Sequence, residues 1–181
     1  MAKVILGVTG GIAAYKACEL ARLLCKDGHE VTAVLTDEAT QFVSELSFAA
    51  LTGRRAYREL FRGAEGTVEH VPLARWAELL LIAPATANIL GKLASGLADD
   101  LLSCVAATAM GRVPIILAPA MNESMWQNPF VRKNVAALEG VGCLVVPPGT
   151  GELACGEVGQ GRLADLPEIM RAVGEALSDS R

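Results

Sequence analysis

Aromatic residues are scarce: only 4% of the 181 residues are Phe, Trp or Tyr. So few flat rings argue against a platform for stacking nucleic-acid bases. The net charge of −4 leaves no basic field for a phosphate backbone, so no nucleic-acid partner is expected. No apolar run reaches the roughly 18 residues of a membrane span. Lys3 leads into an apolar stretch too short for a secretory signal. A cytoplasmic protein with no membrane partner is therefore expected. Cysteine is sparse, odd in number and scattered: Cys18, Cys25, Cys104, Cys143 and Cys155, with no C-x-x-C. That pattern suits a reducing compartment and speaks against both a disulfide framework and a metal site.

Apolar residues are abundant, at 52% of the chain with a mean hydropathy of +0.38. A chain this apolar needs a sheet covered on both faces, or subunit contacts that bury further surface, so a homo-oligomer is expected. The length predicts one domain over 1–181.

The order of elements reads as α/β. Lys3 to Val8 is a continuous apolar strand, Thr9-Gly10-Gly11 a turn, and the following helix ends near Asp27 with Gly28 beyond it. Val31 to Leu35, Leu79 to Ile82, Val113 to Leu117 and Cys143 to Val146 are further strands. Helices are expected over 38–46, 101–110, 129–138 and 165–177, with a short apolar piece at 46–51. The arginine-rich stretch 53–67 reads as a loop with solvated charges, and His29 as a surface residue. The segment 149–162 holds Gly149, Gly151, Gly156, Gly159 and Gly161 and reads as a loop or flap with few contacts.

Two segments share one design. Ala83-Pro84-Ala85-Thr86-Ala87-Asn88 and Ala118-Pro119-Ala120-Met121-Asn122 each follow an apolar strand. Small residues such as Ala85 let the backbone approach a ligand, while Thr86, Asn88 and Asn122 supply polar groups. They predict two walls of one site at the carboxyl ends of parallel strands. Gly10 and Gly11 either offer free N–H groups to an anion or serve tight strand-to-helix contact. Thr36 either binds a phosphate oxygen or caps the next helix. Met121, Met125 and Trp126 are either core or the border of a flat ligand. Asp99 or Asp100 either caps a helix or holds a ligand. His70 is a candidate base, Cys155 a candidate reactive or proton-donating thiol, and Arg162 a candidate clamp for a phosphate or carboxylate.

Four segments together resemble the flavin-containing cysteine decarboxylases. Residues 10–16, Gly-Gly-Ile-Ala-Ala-Tyr-Lys, resemble the first flavin phosphate loop, including Ile12. Residues 84–88 resemble Pro-Ala-Ser-Ala-Asn-Thr, with Thr86 for Ser and Ile89 in place of the final Thr. Residues 119–126 match Pro-x-Met-Asn-x-x-Met-Trp at every fixed position. Residues 154–162, Ala154 to Arg162, resemble the substrate clamp of the members that serve coenzyme A biosynthesis.

The resemblance implies a flavodoxin-like (Rossmann-like) doubly wound parallel sheet with helices on both faces, in three layers αβα. FMN is the implied cofactor, held by Gly10, Gly11, Ile12, Thr36, Ala85, Thr86, Asn88 and Met121. The implied activity is decarboxylation of 4′-phosphopantothenoylcysteine to 4′-phosphopantetheine, through transient oxidation of the thiol to a thioaldehyde. His70 is the implied base, Asn122 binds the substrate carboxylate, and Cys155 protonates the enethiolate. Ala154 and Arg162 lie in the implied substrate clamp at 149–164. Implied partners are further copies in a homotrimer or dodecamer, and a phosphopantothenoylcysteine synthetase domain or partner. The alternatives are an oxidative peptidyl-cysteine decarboxylase of modified-peptide biosynthesis and a non-catalytic flavoprotein regulatory subunit.

Overall fold

A computed structural model describes residues 1–61, 68–152, 156 and 158–179. Strands β1 (Lys3–Val8), β2 (Glu30–Leu35), β3 (Leu79–Ala85), β4 (Ile115–Pro119) and β5 (Leu144–Val145) form a parallel sheet. Their order, β2-β1-β3-β4-β5, is that of the flavodoxin-like doubly wound fold. The helices are α1 (Ala14–Lys26), α2 (Glu45–Thr52), α3 (His70–Trp76), α4 (Ala87–Ala94), α5 (Leu101–Ala109), α6 (Glu123–Trp126), α7 (Pro129–Gly140) and α8 (Leu166–Asp179). A hairpin of β6 (Gly149–Glu152) and β7 (Val158–Arg162) stands apart from the main sheet.

The unbroken apolar strands follow from this layering. Val4, Leu6 and Val8 of β1, with Leu79, Leu81 and Ala83 of β3, face the layer formed by α1 and α8. Ile5, Leu80, Ile82 and Ala85 face the opposite layer of α3, α4, α5 and α7. Both parities are buried, so the alternation of a half-exposed strand is lost. Gly7 lets α5 settle closely on the sheet, because a Cβ there would lie 2.6 Å from Leu102 Cδ1.

Local signals fix several boundaries. Gly28 ends α1 with φ +88°. Asn128 caps α7 through Phe130 N–H, with Pro129 in the first turn. Asp100 caps α5 in a reciprocal box with Ser103.

Four expectations need correction. The helix expected over 38–46 is one short 3₁₀ turn, Glu38–Gln41; Ser44 then caps α2 by accepting from Ser47 N–H. The loop or flap with few contacts expected over 149–162 holds the paired strands β6 and β7, because Gly159 and Gly161 let β7 lie close against Glu123 and Met121. The arginines near 53–58 are not simply solvated. Arg54 stacks 4.7 Å from the Trp76 ring and donates to Thr32 and Glu30, and Arg58 pairs with Asp37, Glu45 and Glu59. The rest of that stretch, 62–67, lies outside the described residues. His29 is not a surface residue either: its side chain is 9% exposed and lies 3.3 Å from Asp27. No described helix is long and apolar enough to cross a membrane.

Candidate flavin and substrate site

The strand order reverses between β1 and β3, which run parallel, and a doubly wound sheet opens a crevice beyond the carboxyl ends of such strands. One side chain ties that switch point together. The Thr9 hydroxyl donates to Pro84 O at 2.7 Å and accepts from Thr86 N–H at 3.1 Å. Thr9 is 1% exposed, so this bridge is part of the interior. A third strand end joins through Ala120 N–H, which donates to Ala85 O at 3.1 Å.

These strand ends surround a cavity of about 900 Å³. Gly10, Gly11, Ile12, Thr36, Thr86, Asn88, Met121, Asn122 and Arg162, all candidates from the sequence, line it. Ala85 does not: its side chain is buried against the α4 and α5 layer, and its carbonyl holds Ala120. His70 is also absent from the lining. It is half-buried on the first turn of α3, and its Nδ1 is buried without a partner among the described residues. Ala154 and Cys155 lie outside the described residues.

The start of α1 is a donor set. Its cap residue, Ala13, has no side chain able to satisfy the free amides, and the N–H groups of Gly10, Gly11 and Ile12 meet no partner among the described residues. Such amides favour an anion. The two glycines differ in purpose. A Cβ on Gly10 would collide with Glu38, so Gly10 serves tight contact; a Cβ on Gly11 would meet Thr86 Cγ2 at an ordinary 3.6 Å. Thr36 lines the cavity, and its hydroxyl accepts a 3.3 Å bond from Ala39 N–H.

The opposite wall comes from the turn into α6. Asn122 Oδ1 accepts from Met125 N–H at 2.8 Å, which caps α6. Its one acceptor oxygen is thus engaged, and the amide nitrogen, without a partner among the described residues, remains as a pair of donors. Met121 and Met125 line the cavity while Trp126, 2% exposed, belongs to the core with Arg132 stacked 4.6 Å above it. The apolar group therefore divides between core and cavity wall.

Two charged groups on the rim are already engaged. Asp100 accepts from Ser103 N–H at 2.8 Å and from Lys92 Nζ at 2.6 Å, so it is a capping residue. Burial disfavours the Lys92 charge, but hydrogen bonds and attraction from Asp100 and Asp99 outweigh it, and the ammonium is pushed up to about 12. Arg162 pairs with Asp165 at 2.8 Å through one terminal nitrogen, and its Nε is buried without a partner among the described residues. Lys16 adds a second cation to the lining. Thr9 and Glu38 were not singled out by sequence, and Tyr15 and Lys16 stood there only within the segment 10–16. For Thr9 a signal existed, a hydroxyl between an apolar strand and a Gly-Gly turn, but its partner is 75 residues away.

A family model described as Flavoprotein matches residues 1–178. The chain belongs to the Flavoprotein family. It is 44% identical over 171 residues to the coenzyme A biosynthesis bifunctional protein CoaBC of Bacillus subtilis, covering 93% of this chain and 41% of that protein. The chain thus spans about two-fifths of the length of this bifunctional relative. A Streptococcus mutans protein named as a probable phosphopantothenoylcysteine decarboxylase is 40% identical over 176 residues, covering 97% of this chain and 98% of its own. Among solved structures, a phosphopantothenoylcysteine decarboxylase variant in complex with pantothenoylaminoethenethiol superposes with a TM-score of 0.85 at 33% identity, over 96% of this chain and 97% of that one. The FMN-dependent cysteine decarboxylase SpaF gives a TM-score of 0.85 at 30% identity, over 99% and 97%.

The cavity fits a flavin mononucleotide by the chemistry of its donors. Free amides and Thr36 suit a terminal phosphate, Thr86 and Asn88 suit hydroxyl or ring-edge groups, and Ile12, Met121 and Met125 supply apolar contact for a flat ring.

Proposed function

We propose that this flavoprotein holds FMN in the cavity and decarboxylates 4′-phosphopantothenoylcysteine to 4′-phosphopantetheine. The observation that carries the reading is Asn122. Its capping bond to Met125 N–H fixes the carboxamide with the nitrogen unused among the described residues, a neutral donor suited to a substrate carboxylate. The full-length relative named for this reaction supports the choice of substrate.

A cysteinyl carboxylate does not lose CO₂ readily, because the electrons left behind have no acceptor. When bound, FMN supplies a reversible two-electron centre that oxidises the thiol carbon and later returns the electrons. Asn122 holds the carboxylate. His70 takes the thiol proton. Cys155 gives a proton to the enethiolate, and Arg162 and Lys16 set a cationic rim for the acidic end of the substrate.

His70 does not line the cavity of its own chain, so the reading includes a homotrimer in which His70 of one copy faces the cavity of the next. Exposed apolar groups bordering the cavity, Ile12 at 58% and Tyr15 at 59%, support a covering partner. A cytoplasmic location and a synthetase domain or partner belong to the same reading. The domain expected over 1–181 and its clamp at 149–164 remain part of it.

The test is the mass of the product formed from phosphopantothenoylcysteine by the flavin-loaded protein. Loss of CO₂ alone supports the proposal. Loss of CO₂ with two hydrogens moves the protein to the oxidative decarboxylases. A flavin-loaded protein that releases no CO₂ removes the activity. Mixed oligomers of His70→Asn and Asn122→Asp chains should recover turnover that neither variant shows alone; no recovery refutes a shared site.

A further inference from the structure

The hairpin strand β7 is seated on the turn that carries Asn122. Met121 N–H donates to Gly161 O at 2.9 Å. Gln160 N–H donates to Glu123 Oε1 at 3.3 Å, across 37 residues of chain. Gly159 and Gly161 are both buried and point the same way along β7. A Cβ on Gly161 would strike Met121 O, and one on Gly159 would strike the Glu123 carboxylate. Glycines in a segment that reads as a loop are thus the condition for a strand to dock closely. Arg162, the next residue of β7, lines the cavity, and Glu123 follows Asn122 directly.

Resting on the reading above, we infer that Glu123 is a positioning residue for the substrate. Its carboxylate pins β7 at Gln160 and so sets the distance between the Asn122 carboxamide and the Arg162 edge of the cavity. A substrate whose carboxylate lies on Asn122 and whose other end reaches Arg162 needs both walls in one register. At 3.3 Å the bond is long for a charged acceptor, so its role lies in register more than in stability. Gly159 belongs to the same device. A methyl group at that position displaces the far end of the Glu123 side chain and breaks the same bond.

The experiment compares wild type with Glu123→Ala, Glu123→Gln, Gly159→Ala and the Glu123→Ala, Gly159→Ala double variant, all flavin-loaded. Two readouts are taken: hydrogen exchange at the Gln160 amide, and KM and kcat for phosphopantothenoylcysteine. Exchange at Gln160 should speed up in Glu123→Ala and Gly159→Ala and stay slow in Glu123→Gln, which keeps an acceptor oxygen. KM should rise about fivefold to tenfold in Glu123→Ala, the scale of one lost hydrogen bond. The kcat should change less, and Glu123→Gln should recover most of the loss. Adding Gly159→Ala to Glu123→Ala should change little further, because both act on one contact. Unchanged exchange at Gln160 in Glu123→Ala overturns the inference whatever the activity. So does altered exchange with an unchanged KM, or additive effects of the two substitutions. A wild-type protein that turns over no substrate while Gln160 follows the expected exchange pattern refutes the substrate assignment and its positioning by Glu123, leaving the β7 latch standing.

Discussion

Replacing Thr9 by Val removes a hydroxyl and keeps the branched shape. The structure gives that hydroxyl two buried or half-buried bonds, one to Pro84 O and one from Thr86 N–H. A net hydrogen bond contributes about 0.5–1.5 kcal/mol, and a buried polar group left without a partner costs about 1–3 kcal/mol. Pro84 is buried, so its carbonyl bears most of that cost; the amide of Thr86 is half-buried and regains part of its bond from water. The expected loss is about 2–4 kcal/mol, against a total stability of about 5–15 kcal/mol for a domain. Urea unfolding at fixed flavin and protein concentration reads it as a shift of the midpoint by about 1 M with an unchanged slope. Because the bridge joins β1 to β3 beneath the cavity, flavin affinity should fall as well. Thr9→Ser keeps the hydroxyl and should lie much closer to wild type. A Thr9→Val protein within about 0.5 kcal/mol of wild type and with normal flavin binding would refute the bridge as the tie of the switch point.

Three further outcomes are expected. Asn122→Asp keeps an oxygen to cap α6 but replaces the donor nitrogen with a charge, so melting and flavin content should hold while CO₂ release falls at least about tenfold; a normal rate removes Asn122 from carboxylate binding. The Lys92 cluster should give a pH-dependent term: the raised Lys92 contributes stability fully below 10.5 and loses it as pH climbs through about 12, while the lowered Asp99 contributes above 3.8 and loses it as pH falls below that value. The melting difference between wild type and Lys92→Met should therefore be flat around neutrality and shrink at both extremes, and a difference that grows on the alkaline side contradicts the assignment. Burial pushes the thiols of Cys18, Cys25, Cys104 and Cys143 up, so near neutral pH they should alkylate slowly until the chain unfolds, as peptide mapping will show; rapid labelling of the folded protein at any of them contradicts that burial.

The sequence by itself determined the strands of the parallel sheet, because a strand buried on both faces leaves a continuous apolar run such as Leu79 to Ile82. It determined the ends of α1 and α7 through Gly28 and Pro129, whose backbone preferences act within a few residues. It also marked the two strand ends that became walls, since small residues with one polar neighbour are a local pattern. Tertiary structure alone decided which of those polar groups were still free. Asp100 is consumed by Ser103 and Lys92, Asn122 keeps its nitrogen because Met125 takes its oxygen, and Trp126 goes to the core while its neighbour Met125 goes to the cavity. It placed His70 outside the cavity of its own chain, and it turned a glycine-rich loop into a docked strand. In each case the deciding partner is fixed by how the layers meet, through contacts such as Thr9 to Pro84 and Gln160 to Glu123 that no local propensity encodes.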